Sequence, residues 1–528
     1  MDQLADTPLP EAAAVAAARR RRDWIAFMAI TVGSFVAILD VQIVASSIDQ
    51  IRAGLSASVD EIQWVQTAYL IAEIIAIPLS GYLAPMLSTR VFFTIAAVGF
   101  TVSSLACGFA WNLASMVVFR ALQGFLGGGL IPALFATLFI LFSTQRDRTL
   151  SQVVAGMTTL LAPAIGPTFG GWITDALSWR WLFLINLVPG VGCAAVVWLT
   201  LDIDKPNPRM LKNLDLSGAL FLALFLGALE YALDEGPRDD WFEDGAVAAA
   251  TVLAAVAGAL FFWRAFAARQ PIVDLRTFRD RNFALTALIS ALLGISVFTL
   301  NYITPVFLAE VAGYNAQQIG SVMMVSGLIM IVVSPLVIQL EKVLDPRATI
   351  ALGVLLVAAG SYANAALTDQ WGGAQFVVPQ ALRGAGMIFS FVPMTNLALG
   401  TLPAHEVNNA SGLYAVTRNL GGALGLALVA TLVNQRSWSH WQALAERTRM
   451  SRPAVHDWLV AASGTLHPQL GHASEAGAMV IMAQQAARQA ATMTYGDMYL
   501  LLSVSTLAAA ALVPLLRKPA QTVASAGH

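Results

Sequence analysis

Fourteen stretches of this chain stay apolar for about 20 residues, the length a helix needs to cross the ~30 Å hydrocarbon layer of a bilayer. Nothing else in the sequence restricts the fold as tightly, because lipid offers backbone amides no hydrogen-bond partners and a spanning segment must satisfy its own. The runs fall approximately at 24–48, 62–84, 91–110, 113–141, 150–173, 180–201, 214–233, 245–263, 283–309, 318–340, 347–366, 374–399, 410–433 and 497–516. They imply an all-α polytopic membrane protein. Composition agrees: 12% of residues are charged, against about a quarter in a soluble domain.

The few charges are placed unevenly. Of thirty Lys and Arg, nineteen lie in the two tails and the six even-numbered loops. Only Arg52, Arg180 and Arg238 lie in short odd-numbered loops, and five more lie in the long polar segment before the last span. Cytoplasmic loops carry the basic excess, so both termini are expected in the cytoplasm. Arg19 to Arg22 followed by the run from Trp24 has the outline of a signal peptide, but the run is too long and contains Asp40, which makes it an uncleaved first span.

Several functions are disfavoured. A net charge of −2 gives no attraction to nucleic acid. Cys107 and Cys193 lie far apart in apolar runs and read as packing residues, and no span carries a histidine to hold a haem. Four lysines and no G-K-[ST] leave no phosphate loop for an ATP-driven pump. No His or Cys constellation or paired acidic motif marks a membrane-enzyme centre. No cofactor is implied.

The chain repeats itself. ALQG at Ala121 to Gly124 in span four returns as ALRG at Ala381 to Gly384 in span twelve, and a proline follows in each, Pro132 and Pro393. Gly156 and the glycine pair of span five are echoed by Gly412, Gly421 and Gly422 in span thirteen. The offsets agree to within a few residues, which implies two six-helix repeats with spans seven and eight inserted between them. The expected division is a tail at 1–23, a first half at 24–201, a linker with the inserted helices at 202–281, a second half at 282–516 and a tail at 517–528. Within the second half, 434–495 is expected to form a long loop outside the cytoplasm. Paired halves around a central site suit a secondary transporter.

Charges inside spans mark function by default. At about 1.5 Å per residue, Asp40 and Arg120 reach compatible depths, so a pairing is expected. Glu73 falls near the middle of the membrane, where desolvation and the guanidinium act in opposite senses on its proton affinity. Asp40, Glu73 and Arg120 are therefore candidates for proton coupling, although a static pair that fixes packing would use the first and last in the same way. Gln42, Gln123, Asn301 and Arg383 are polar candidates for a substrate cavity, with Arg418 as a further basic residue in a span. Glu230 and Glu310 lie near span ends, where solvation explains them.

Span five, GMTTLLAPAIGPTFGGWITD, resembles the antiporter motif of the major facilitator superfamily, with Gly166, Pro167, Gly170 and Gly171 matching and Ala162 replacing the first glycine. FRALQG resembles the R-x-x-Q-G motif of its span four through Arg120, Gln123 and Gly124. Over nearly its whole length the chain is similar to the fourteen-span drug:proton antiporters of the EmrB type. In the first span Asp40 is kept while Gln42 and Ala45 replace Thr and Asn, and in GYLAPMLSTR Pro85, Met86 and Ser88 stand where Asp, Arg and Gly are usual.

The resemblance implies export of amphipathic organic compounds from the cytoplasmic membrane, driven by the proton gradient, with Arg120 in the coupling and spans one, four, nine and twelve around the cavity. It also implies a periplasmic membrane-fusion adaptor and an outer-membrane channel as partners, the adaptor facing the 434–495 segment with its Trp438, Trp441 and Trp458. A polytopic membrane enzyme, or an importer or metabolite exporter on the same fold, stays open as an alternative.

Overall fold

A computed structural model describes residues 10–142, 144–212, 214–341, 343–403, 406–448 and 452–517. His405, the first nine residues and the last eleven lie outside them. Thirteen helices have the length and hydropathy of a membrane span, and a fourteenth qualifies across a 49° bend between Arg146–Pro163 and Ile165–Ala176. We number these spans α1 (Pro10–Ala45), α2 (Trp64–Leu87), α3 (Thr89–Gly108), α4 (Leu113–Leu141), α5 (Gln145–Ala176), α6 (Trp181–Thr200) and α7 (Leu216–Glu235). The series continues with α8 (Gly245–Ala267), α9 (Arg281–Glu310), α10 (Ala316–Leu340), α11 (Pro346–Ala365), α12 (Gly373–Leu399), α13 (Val407–Arg447) and α14 (Ser474–Leu512). Pro163 and Pro167 lie in the bent helix α5, as expected where a missing amide breaks the hydrogen-bond ladder.

Helix starts are set by short polar side chains. Asn112 accepts from the Ser115 amide ahead of α4, Asp215 from Gly218 ahead of α7, Asp280 from Phe283 ahead of α9 and Asn315 from Gln318 ahead of α10. Each satisfies one of the amides that a helix leaves open at its first turn, worth about 1 kcal/mol.

The repeat read from the sequence governs the packing. In the first half α1 packs on α5 and α6, α4 on α2 and α3, and α3 on α6; in the second α9 packs on α13 and α14, α12 on α10 and α11, and α11 on α14. Adding eight to each number in the first set gives the second. The same glycines make the same approach in both: a Cβ at Gly124 would lie 2.3 Å from the Tyr69 carbonyl oxygen of α2, and one at Gly384 2.2 Å from the Ser326 carbonyl oxygen of α10. Only glycine lets these backbones come so close. The halves meet through α5 on α10 and α2 on α13, contacts that the same repeat interchanges. The inserted helices pack on each other, and α7 also lies against α2 and α13.

Three expectations are corrected. The segment 434–495 is mostly helical: α13 runs on to Arg447, α14 begins at Ser474, and a further helix, Pro453–Leu470, packs on α14. The apolar signal ends at the membrane edge, but Ala, Gln and Arg favour helix in water as well. The helix that carries the first span likewise begins at Pro10, ahead of the span itself at Ala17. Glu230, assigned to a solvated span end, is 8% exposed, because α7 extends to Glu235 and lays this face on α2.

Candidate functional site

Asp40 of α1 and Arg120 of α4 are both fully buried and meet, with Arg120 Nη1 2.6 Å from Asp40 Oδ2. The carboxylate takes two more bonds, from Gln123 Nε2 at 3.0 Å and from Asn186 Nδ2 at 2.6 Å. Asn186, at the break within α6, also donates to Ser104 Oγ of α3. Arg120 Nε donates to the Val65 carbonyl, Nη1 also reaches Gln123 Oε1, and the guanidinium carbon stands 4.2 Å from the centre of the Tyr69 ring. A buried charge pair is stabilising only when its remaining hydrogen-bonding capacity is met, and here α2, α4 and α6 supply most of it through Val65, Gln123 and Asn186. Two atoms stay unserved, Arg120 Nη2 and the Tyr69 hydroxyl.

Beside this cluster lies a cavity of about 1070 Å³. Its wall includes Gln42, Glu73, Pro167 and Asn301 from the expected set, together with Asp234, Arg418 and Phe391. The other expected residues stand back from it. Arg120, Gln123 and Gly124 are buried between α2 and α4, while Gly166 and Gly170 seat α5 against α1, where a Cβ would lie 2.3 Å from Gln42 Cβ and 2.8 Å from the Ile43 carbonyl oxygen respectively. Gly171 is half-buried on the same helix.

Arg383 is also off the wall. It is 6% exposed, donates to Gln380 Oε1 at 3.3 Å and to the Asn301 side chain, and has no carboxylate within ion-pair distance among the described residues. Arg418 is the guanidinium on the second-half wall, 5.8 Å from the Phe391 ring, and Arg238, after α7, is a further one at the cavity's edge. The place of Arg418 on the inner face of α13 could not be told from composition, since it and Arg383 interrupt equally apolar runs. The cavity thus carries carboxylates on its first-half side, Glu73 and Asp234, and a guanidinium on its second-half side.

One end of the cavity is shut. At the end of the bundle where α1 begins, Glu341 after α10 accepts from Thr149 Oγ1 of α5 at 3.1 Å and from Asn396 Nδ2 of α12 at 3.2 Å. Asn396 in turn accepts from Gln152 Nε2 of α5 at 2.7 Å, so the chain of bonds crosses from one half to the other. Burial pushes the Glu341 carboxyl above the usual range, against the pull of the bonds from Asn396 and Thr149. Gly81 of α2 adds a second closure, where a Cβ would lie 3.1 Å from the Asn408 carbonyl oxygen of the second half. At the opposite end the wall reaches Gln63, Arg238 and Tyr314, residues just outside helix ends, and Asn434, where α13 runs on past the length of a span.

Known proteins agree with this architecture. Residues 30–426 match the Major Facilitator Superfamily. The chain is 45% identical over 406 residues to the colistin resistance protein EmrB of Acinetobacter baumannii, covering 77% of this chain and 79% of the relative. It is 30% identical to the fatty acid resistance protein FarB of Neisseria gonorrhoeae, with 86% and 87% covered, and 30% identical to the multidrug export protein EmrB of Escherichia coli, with 81% and 83% covered. In fold it resembles the human organic anion transporter MFSD10 (TM-score 0.56, 13% identity, 92% of this chain and 99% of that one) and the proton:xylose symporter XylE (TM-score 0.57, 12% identity, 94% and 99%). The family match over most of the chain and the identity to the EmrB relatives agree with a helical bundle in two matched halves, and the chain belongs to the major facilitator superfamily, within its EmrB-type group of exporters.

Proposed function

We propose that the protein exports amphipathic organic compounds in exchange for protons, with Asp40, Arg120 and Glu73 coupling the two movements. The observation that carries this reading is the buried Asp40–Arg120 pair set beside a cavity whose wall bears Glu73. Such a pair in the membrane interior is costly unless it does work, and a carboxylate open to the cavity is where a proton and a substrate can compete. Carboxylates on one wall and Arg418 on the other give an amphiphile of either charge a partner, which suits relatives named for resistance to fatty acids and to colistin and for multidrug export.

In this reading both termini are cytoplasmic, as the basic loops imply, the protein lies in the inner membrane, and the cavity faces outward with Glu341 and Gly81 closing the inner side. The halves, bounded near 24–201 and 282–516, rock about the packed glycines of α5, Gly166, Gly170 and Gly171, and its Pro167. The helical hairpin formed by the ends of α13 and α14 stands outside the membrane, with Trp438 exposed and stacked on Trp441 at 5.4 Å and Trp458 half-buried. It offers a periplasmic membrane-fusion adaptor a surface and would lead substrate toward an outer-membrane channel.

The test is uptake of ethidium into inverted vesicles. An imposed pH gradient, acid inside, should drive accumulation and be dissipated by it, and Glu73→Gln should abolish both. Uptake that ignores the gradient in the wild-type protein would remove antiport from the reading.

A further inference from the structure

The inserted helix α7 carries Glu230, to which the reading above gives no role, and Asp234, which it uses only as a charge on the cavity wall. α7 lies antiparallel along α2: the Tyr231 ring stacks on Trp64 at 5.6 Å, Thr67 Oγ1 donates to Asp234 Oδ2, and the Cβ site of Gly227 lies 3.2 Å from Ile75. In that register Glu230 falls between Thr67 and Ile75, beside Glu73. Glu230 and Asp234 are four residues apart and share one face of α7; Tyr69 and Glu73 are four apart and share one face of α2. Tyr69 in turn lies under the Arg120 guanidinium. Polar side chains therefore follow one another sideways, Asp234 and Glu230 on α7, Glu73 and Tyr69 on α2, then Arg120 and Asp40.

Burial and hydrogen bonding distinguish this row from an ordinary acidic patch. Asp234 and Glu73 line the cavity. Glu230, over nine-tenths buried, has an Oε2 with no hydrogen-bond partner, and the fully buried Tyr69 hydroxyl has none either. A buried carboxylate oxygen without a donor is costly by about 1–3 kcal/mol or more, and packing alone would be served better by a leucine. The cations near the row stand at its two ends: Arg238 beside Asp234, itself 3.4 Å from Glu235 and 3.7 Å from Asp239, and Arg120 beside Glu73 and Asp40. Glu230, midway, faces Asp234 and Glu73.

We propose that Glu230 and Asp234 form a proton path from the open end of the cavity to Glu73, so that the inserted helix belongs to the coupling machinery rather than to the periphery. A proton taken up by the Asp234 carboxylate at the rim passes to Glu230 and then to Glu73. Each hop deprotonates the donor as it protonates the acceptor, directly or through one water, and Asp234 returns to its carboxylate form. The path runs along the α2–α7 contact, so protons reach Glu73 while substrate fills the cavity. This rests on the proton-antiport reading and adds the route.

Ethidium in inverted vesicles tests it through the ratio of gradient-driven uptake to ethidium-for-ethidium exchange, since exchange needs no net proton movement. Glu230→Gln should lower that ratio about tenfold or more, Asp234→Asn should lower it less because water reaches the rim, and Glu230→Asp should restore most of it. A wild-type ratio in Glu230→Gln overturns the path, whether both rates hold or both fall together, the latter marking Glu230 as a wall residue only. A wild-type protein without gradient-driven uptake fails at the earlier step, and the two failures are read from different samples.

Discussion

Replacing Asp40 and Arg120 singly and together separates coupling from scaffolding. Asp40→Asn keeps the shape but removes the charge that meets Arg120, and the new amide faces donors from Arg120, Gln123 and Asn186 with one acceptor oxygen in place of a carboxylate. Breaking a buried pair from one side costs about 3–5 kcal/mol, because it strands the other charge. Arg120→Gln strands Asp40 similarly and also removes the guanidinium from the Tyr69 ring, a contact worth ~2 kcal/mol when desolvated. The double variant strands neither charge. It should therefore cost no more than the worse single change, a favourable coupling of at least about 3 kcal/mol, the cost of the lesser single change, in the double-mutant cycle.

Thermal unfolding in detergent reads the stability half of this prediction, and ethidium uptake under a pH gradient reads the other. The double variant is expected to recover stability and still to show no coupling. Additive losses would refute the pairing energetics. A stable double variant with normal gradient-driven uptake would refute the role in coupling and leave Asp40 and Arg120 as packing residues.

Gly124→Ala and Gly384→Ala should each cost about 1–3 kcal/mol, since a methyl must displace a carbonyl oxygen of the neighbouring helix; Gly192→Ala, with nothing within 4 Å of its Cβ site, should leave the thermal midpoint unchanged and serves as control. Glu341→Ala should loosen the shut end, seen as faster labelling of a Met394→Cys thiol from the side on which α1 begins; an unaltered rate would show that Gly81 and its neighbours suffice. Removing residues 448–473, the tip of the hairpin, should spare vesicle transport and end resistance in whole cells, and persisting resistance would rule out docking there.

The sequence disclosed the spans because each must be apolar for its whole length, and it disclosed the repeat because close helix contacts keep glycine at fixed places. It also marked Asp40 and Arg120, since a charge in a long apolar run stands out. Asn186, Ser104 and Thr67 gave no such signal: uncharged polar residues are common in spans, and what makes Asn186 matter is a hydrogen bond across 146 positions. Glu230 departs from its expected solvation for a related reason: depth along a helix predicts a wetted end, whereas its burial comes from the side, where α7 lies along α2.

The halves share their packing and not their charges, and this asymmetry bears on how the protein works. Aligning ALQG with ALRG puts Gln380 in the place of Arg120 and Arg383 in that of Gln123. In each half the arginine donates to the glutamine three residues away, 2.9 Å in the first and 3.3 Å in the second. The first-half guanidinium then meets a carboxylate on α1, while the second-half guanidinium meets Asn301 on α9. An amide cannot take up a charge change at ordinary pH, so the second half can hold its arginine in one electrostatic state throughout the cycle. On the proposed coupling, proton-dependent change at a buried arginine falls to the half that holds Asp40 and Glu73, and α7 packs against α2 of that half with Glu230 and Asp234. Converting Asn301 to Asp would give the second half a carboxylate of its own beside Arg383; if coupling is set by where a buried arginine finds an acid, that single change should alter the number of protons exchanged per ethidium, and an unchanged stoichiometry in a stable protein would show that the pair alone does not confer it.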